Sequence, residues 1–211
     1  MKIENIKPMD IEKRSMEIIG ETLAELGKTV DPAVEDIVKR VIHTSADFDY
    51  ADNLYFSAGA VETISRAVEA GAVIVTDTTM AQSGINKRTL KLFGGEALCF
   101  IGDEDVAREA KERGVTRSSV SMEKAARLGR PVVFAIGNAP TALLRIEELY
   151  REGAFTPAGV IGVPVGFVNV VESKERMIAS GLPCIVARGR KGGSNVAAAI
   201  VNAILYRMKR V

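Results

Sequence analysis

Six short runs of this chain are apolar on both faces, and they alternate with stretches of helical period. The runs are Leu54 to Phe56, Ala72 to Val75, Ala97 to Ile101, Pro131 to Ile136, Ala158 to Val163 and Leu182 to Ala187. A strand without a polar face must be covered from both sides, and strands that alternate with helices pair in parallel through crossovers. The pattern predicts an α/β chain, a three-layer α/β/α arrangement around a mainly parallel sheet of about six strands. Between the runs, helices are expected over 60–69, 87–93, 103–113, 119–128, from the Gly137–Thr141 turn to Glu152, over 172–180 and over 193–208. A length of 211 residues suits one domain, taken here as 1–211.

Two helices lead into this pattern. Asp10 can cap the first, which runs to about Leu26 with Ile11, Ile18, Ile19 and Leu23 facing inward. The second is expected over Asp31 to Ile42, capped by Asp31 with Pro32 in its first turn. It delivers His43, the one histidine of the chain, with Arg40 a turn away on the same face. An imidazole at a helix C-terminus sits among orphan carbonyls, which favours its protonated form, and Asp47 and Asp49 can add to that. Such a group suits proton donation near neutral pH. A helix cap with no other role is the alternative reading of His43.

Charge narrows the partners. With 28 basic against 27 acidic residues, the net charge is +1, so no global field points to nucleic acid or a membrane. The apolar runs are strand-length and too short to span a bilayer. Met1 to Glu12 is interspersed with charges and lacks a signal-peptide core, so a cytoplasmic location is expected. Cys99 and Cys184 lie in separate apolar runs and read as small buried hydrophobes. Two thiols and one histidine make a poor metal site, so a metal, if there is one, belongs to the substrate.

In open parallel sheets, ligands bind beyond the carboxyl ends of the strands. Those ends are expected at Ser57-Ala58-Gly59, Thr76 to Met80, Gly102-Asp103, Gly137 to Thr141, Pro164 to Phe167 and Arg188 to Ser194. The last loop has three basic side chains and adjacent glycines ahead of a helix, which suits an anion or a merely solvated turn. It is not a Walker A loop, and no Gly-x-Gly-x-x-Gly follows the first strand, so a dinucleotide cofactor is not indicated. No Gly-x-Ser-x-Gly elbow appears. Arg113, Arg117 and Ser118-Ser119 form a second polar cluster, able to pair with a carboxylate or to stay solvated. Arg14 and Ser15 near the first helix start have the same two readings, as do Asn138 and Thr141, which can bond a ligand or cap a helix.

Ordered blocks along nearly the whole chain resemble the precorrin-8X methylmutase family, also called cobalt-precorrin-8 methylmutases, of cobalamin biosynthesis. The blocks are Arg14 to Ile19, Arg40 to His43, Asp77 through Met80 to Gly84-Ile85, Gly137 to Leu143, Val160 to Val168 with Glu172-Ser173-Lys174, and Gly189 to Ser194. The resemblance implies an isomerase that moves the C-11 methyl of its tetrapyrrole to C-12 by an acid-assisted 1,5-sigmatropic shift. The product would be hydrogenobyrinate or, with cobalt in the ring, cobyrinate. It implies no cofactor, and a homodimer with the tetrapyrrole near the subunit interface. His43 matches the acid, and Ser15 and Arg40 match substrate contacts. By the same resemblance, substrate binding extends to Arg14, Met80, Gly84, Arg117, Asn138, Thr141, Arg190, Lys191 and Gly192. Apolar walls for the macrocycle are expected from Phe48, Met80, Ile85 and Phe167. A rearrangement needs no hydride carrier or nucleophile, and protonating the conjugated ring makes the migration terminus electron-poor. A non-catalytic tetrapyrrole carrier is the alternative, although a carrier has no need of a positioned acid. A phosphate-ligand enzyme built on residues 188–194 is a third reading, opposed by the number of ordered blocks.

Overall fold

The computed structural model describes residues 6–209. Met1 to Asn5 of the charged N-terminal stretch, and Arg210 and Val211 of the expected 1–211 domain, lie outside the described residues.

The chain enters through α1 (Ile11–Glu25), α2 (Glu35–Ser45) and the short α3 (Tyr50–Asn53). The alternating part then runs β1 (Leu54–Phe56), α4 (Ala60–Glu69), β2 (Val73–Thr76), α5 (Thr79–Gly84), α6 (Lys87–Leu92), β3 (Glu96–Leu98), α7 (Glu104–Arg113) and α8 (Arg117–Ala126). It closes with β4 (Val132–Ile136), α9 (Pro140–Arg151), β5 (Gly159–Gly162), α10 (Val170–Ala179), β6 (Cys184–Ala187) and α11 (Ser194–Lys209). The six strands form one sheet in the order β1-β6-β5-β4-β2-β3. All neighbours pair in parallel except β1, which runs antiparallel to β6 with Tyr55 opposite Val186.

Every residue of β2, β4, β5 and β6 is buried, as strands covered on both faces require. Alternate residues of β4 divide between two cores: Val133 and Ala135 join Ile37, Val41, Ile64 and Ile200, whereas Val132, Phe134 and Ile136 join Met122, Leu143, Ile146 and Met177. Each Val, Ile, Leu, Phe or Met among these contributes roughly 1.5–3 kcal/mol by leaving water. The α1, α2, α4, α5 and α11 layer thus covers one face, and α8, α9 and α10 the other.

Several expectations are corrected. The second helix begins at Glu35, because Asp31 folds a turn of its own: its Oδ1 accepts the Ala33 N–H at 2.9 Å and its carbonyl that of Val34 at 3.0 Å. The helix also continues past Ile42, so His43 sits inside its last turn. Ile19 and Leu23 of α1 are buried, but Ile11 and Ile18 are exposed. Thr79 and Met80, expected in the loop after the second strand, instead begin a helix over Thr79–Gly84 that the Thr78 hydroxyl caps. Ser57 to Gly59 do not lie with the other strand ends. The antiparallel direction of β1 carries Ser57 to the opposite rim, where its N–H bonds the Cys184 carbonyl at the start of β6. Cys184 is buried, whereas Cys99 lies just beyond β3 and is half-buried.

Candidate functional site

Around β2 and β4 the sheet order turns back on itself, and there the two carboxyl ends open a crevice. Asp77, which follows β2 and is buried, fills it. Its Oδ1 accepts the N–H of Gly137 at 2.9 Å, and its Oδ2 those of Asn138 at 2.8 Å and Ala139 at 2.6 Å. Burial holds this carboxyl above its ordinary pKa, and the three N–H donors offset that rise only in part. The position where such folds take an external anion is occupied by the chain's own carboxylate. Asn138 keeps its side chain exposed. Next to it Thr141 accepts the Thr116 hydroxyl at 3.0 Å, which joins the starts of α8 and α9 and places exposed Arg117 beside them.

The start of α11 passes close to the same rim. A Cβ on Gly137 would stand 2.6 Å from the Ser194 Cα, and the Ser194 and Thr78 hydroxyls meet at 2.7 Å. One turn further on, Gly84 lets α5 touch α11, since a Cβ there would lie 2.8 Å from the Ala198 Cβ. Asn202 seals this contact: its Nδ2 donates to the Gly84 carbonyl at 2.9 Å and its Oδ1 accepts the Asn86 N–H at 2.7 Å. Asn86 in turn donates to the Tyr206 hydroxyl at 3.2 Å.

Against this wall α2 presents His43. Arg40, His43, Thr44, Gly84, Asn195, Asn202 and Tyr206 line a cleft of about 280 Å³. His43 is exposed to it. Arg40 is held in place from two sides, by Glu12 at 2.6 Å and by the Tyr206 ring, whose centroid is 5.3 Å from the guanidinium.

The 188–193 loop is fastened to the chain just beyond His43. Lys191 Nζ lies 2.6 Å from both Asp47 and Asp49. The ammonium holds the Asp47 carboxyl below its ordinary range, and the two carboxylates raise the lysine. Asp47 and Asp49, expected to reinforce charge on His43, are thus engaged by Lys191. Arg190 Nη1 donates to the Phe167 carbonyl at 2.8 Å, with its guanidinium 5.4 Å from that ring. Gly192 is demanded by a close approach, because a Cβ there would stand 2.1 Å from the Val163 carbonyl oxygen. From below, fully buried Lys174 donates to the carbonyls of Gly189 and Lys191, each at 2.8 Å. Burial pushes its pKa down to about 8.

The structure therefore gathers Arg40, His43 and Gly84 in one cleft and ties the loop of Arg190, Lys191 and Gly192 through Lys191 to the chain just after α2. Met80 and Phe167 stand open, 69% and 80% exposed. Ile85 is buried in the core and Phe48 is half-buried against it, so neither is an open wall. Arg14 and Ser15 do not line the cleft. Arg14 reaches Glu21 at 3.1 Å, and the Ser15 hydroxyl returns to the Ile11 carbonyl at 2.8 Å. Arg113 spends its fork on Glu123, at 2.6 and 2.9 Å. Among the described residues, no group of three or more His, Cys, Asp or Glu could hold a metal ion, and no helix is long and apolar enough to cross a membrane.

The sequence reading missed Asp77 as the crevice anion, Lys174 under the loop, and Asn195, Asn202 and Tyr206 along the cleft. Thr78, three residues before Ala81, is a helix-start signal that would have placed α5 behind Asp77. Lys174 carries no such signal, since it stands in the charged run Glu172 to Arg176 and reads as solvated.

Known proteins resemble the chain over most of its length. The family model for Precorrin-8X methylmutase matches residues 10–207. The chain is 49% identical to the cobalt-precorrin-8 methylmutase of Salmonella typhimurium, over 96% of this chain and 97% of that protein. It is 41% identical to the precorrin-8X methylmutase of Pseudomonas aeruginosa, over 81% and 83%. A crystal structure of precorrin-8X methyl mutase from Thermus thermophilus superposes with a TM-score of 0.85 at 36% identity, over 95% and 98% of the two chains.

Proposed function

The chain belongs to the precorrin-8X methylmutase family, and from that premise we propose that His43 is the acid of its methyl shift. The protein is an isomerase of cobalamin biosynthesis that moves a methyl group, and the carrier alternative is not favoured. One observation carries the residue assignment: the chain's only histidine is exposed in a cleft flanked by Arg40 and Gly84.

His43 donates a proton to the conjugated ring of precorrin-8X or cobalt-precorrin-8. The ring becomes electron-poor at C-12. The bond from C-11 to the methyl breaks as the bond to C-12 forms, and the proton returns to His43, so the step is a balanced isomerisation. Cobalt, when present, is held by the ring and is part of the substrate. Arg40 and Arg190 attract carboxylates at the rim of the macrocycle, and exposed Met80 and Phe167 offer apolar contact to its face. Arg117, Asn138 and Thr141 meet the far edge along the same rim.

A homodimer completes the site. A cleft of about 280 Å³ falls below the ~300–1,000 Å³ typical of sites that enclose drug-sized ligands, and a tetrapyrrole is larger than these. Only one edge of the ring therefore enters it. Ile11 and Ile18, seven residues apart on α1, leave an apolar stripe exposed, which suits a second copy. That packing brings Arg14 and Ser15 to the substrate. The enzyme works in the cytoplasm. Incubation with precorrin-8X and with its cobalt form, followed by visible absorption, tests the reading. Conversion to the corrin spectrum supports it, and binding without conversion by the wild-type protein refutes it.

A further inference from the structure

Lys174 is a buried charge whose bonding partners are backbone carbonyls of a single loop. It is fully buried on α10, and among the described residues it makes no ion pair. A buried ammonium without a carboxylate is expensive, and the two backbone carbonyls it bonds are what offset that cost here. What the charge does is visible in the loop above it. The carbonyls of Gly189 and Lys191 turn inward onto Nζ at 2.8 Å, and that of Arg190 accepts the Gly166 N–H at 3.2 Å. Three successive carbonyls are thus consumed from the protein side. Among the described residues, the backbone N–H groups of Gly189, Arg190, Lys191 and Gly192 have no acceptor. Lys191, the loop's obvious cation, is spent on Asp47 and Asp49.

We infer that Lys174 is a positioning residue for substrate binding: it takes the loop's carbonyls from beneath, so that the N–H groups of residues 190–192 face a carboxylate of the substrate. The inference rests on the methylmutase reading for the identity of that carboxylate. The ligand group follows from chemistry, since a row of free amides above a buried positive charge accepts an anion and rejects a neutral or cationic group. Lys174 touches no substrate atom and acts through the loop.

Two measurements test it. In isotope-labelled wild-type protein, hydrogenobyrinic acid should move the amide protons of Arg190, Lys191 and Gly192 downfield and slow their exchange by about tenfold or more. Lys174→Met should raise KM for precorrin-8X about tenfold or more while leaving kcat within about threefold, the signature of lost uniform binding. Amides that do not respond overturn the inference, and so does a folded Lys174→Met enzyme with wild-type KM. If the substitution prevents folding, the wild-type amide measurement decides alone. A wild-type protein whose loop amides respond but which does not isomerise precorrin-8X overturns the methylmutase reading and leaves the loop assignment standing.

Discussion

Asp77 Oδ2 accepts the backbone N–H of Ala139 at 2.6 Å, so the crevice between β2 and β4 is closed by an internal anion. The same carboxylate also orders Gly137 and Asn138. Asp77→Asn should destabilise the protein by about 2–3 kcal/mol, because the amide turns an NH₂ toward N–H donors and leaves one of them unsatisfied. Urea unfolding measures this, and a loss below about 0.5 kcal/mol would contradict the role given to the carboxylate.

Lys174 makes stability depend on pH in a stated direction. Its folded pKa is about 8, against an ordinary 10.5. Between those values the unfolded chain binds a proton that the folded chain has released, so stability rises with pH across that window. The unfolding free energy of wild type minus that of Lys174→Met should increase from pH 8 to pH 10, other titrations cancelling in the difference. A flat difference would mean that the lysine is not desolvated as described.

The contact between α5 and α11 depends on one missing methyl. Gly84→Ala would place its Cβ 2.8 Å from the Ala198 Cβ and force the helices apart, at about 1–3 kcal/mol. Ala198→Gly alone should cost about 1 kcal/mol through helix propensity. Combined, the two should cost less than their sum, because the second change removes the clash made by the first. Strict additivity in thermal unfolding would show that the helices do not meet here.

Strands were legible because burial on both faces leaves a run of Val and Ile that nothing else explains, as in Val132 to Ile136. Their direction was not. Nothing in Leu54-Tyr55-Phe56 says that it pairs antiparallel, and that one fact moved Ser57 to Gly59 to the wrong rim. The Arg40–His43 pair was legible from helical spacing, whereas the wall opposite it is set by the packing of α11 on α5. Charged residues were read least well. Lys191, expected to meet an anion or stay solvated, is doubly paired, while Lys174, given no role of its own, is fully buried. A side chain's charge is written in the sequence, but what surrounds it is decided by elements far along the chain.

Lys191 should act through Asp47 and Asp49 rather than on substrate directly. Lys191→Ala and the double variant Asp47→Asn/Asp49→Asn should raise KM by similar factors, and the triple variant by no more than either. Arg190→Ala, which removes an exposed guanidinium at the Phe167 ring, should raise KM independently of all three. Independent, multiplying effects of Lys191 and the aspartates would place the lysine on the substrate instead.

The central claim is that His43 supplies the proton. Single-turnover conversion of precorrin-8X, followed by visible absorption for wild type and His43→Ala, tests it most directly. The variant should fold with wild-type stability to within about 0.5 kcal/mol, since the side chain is exposed. It should bind the substrate within a few-fold of wild type and lose about 10²–10⁴-fold in rate. Conversion by His43→Ala at the wild-type rate would contradict the assignment.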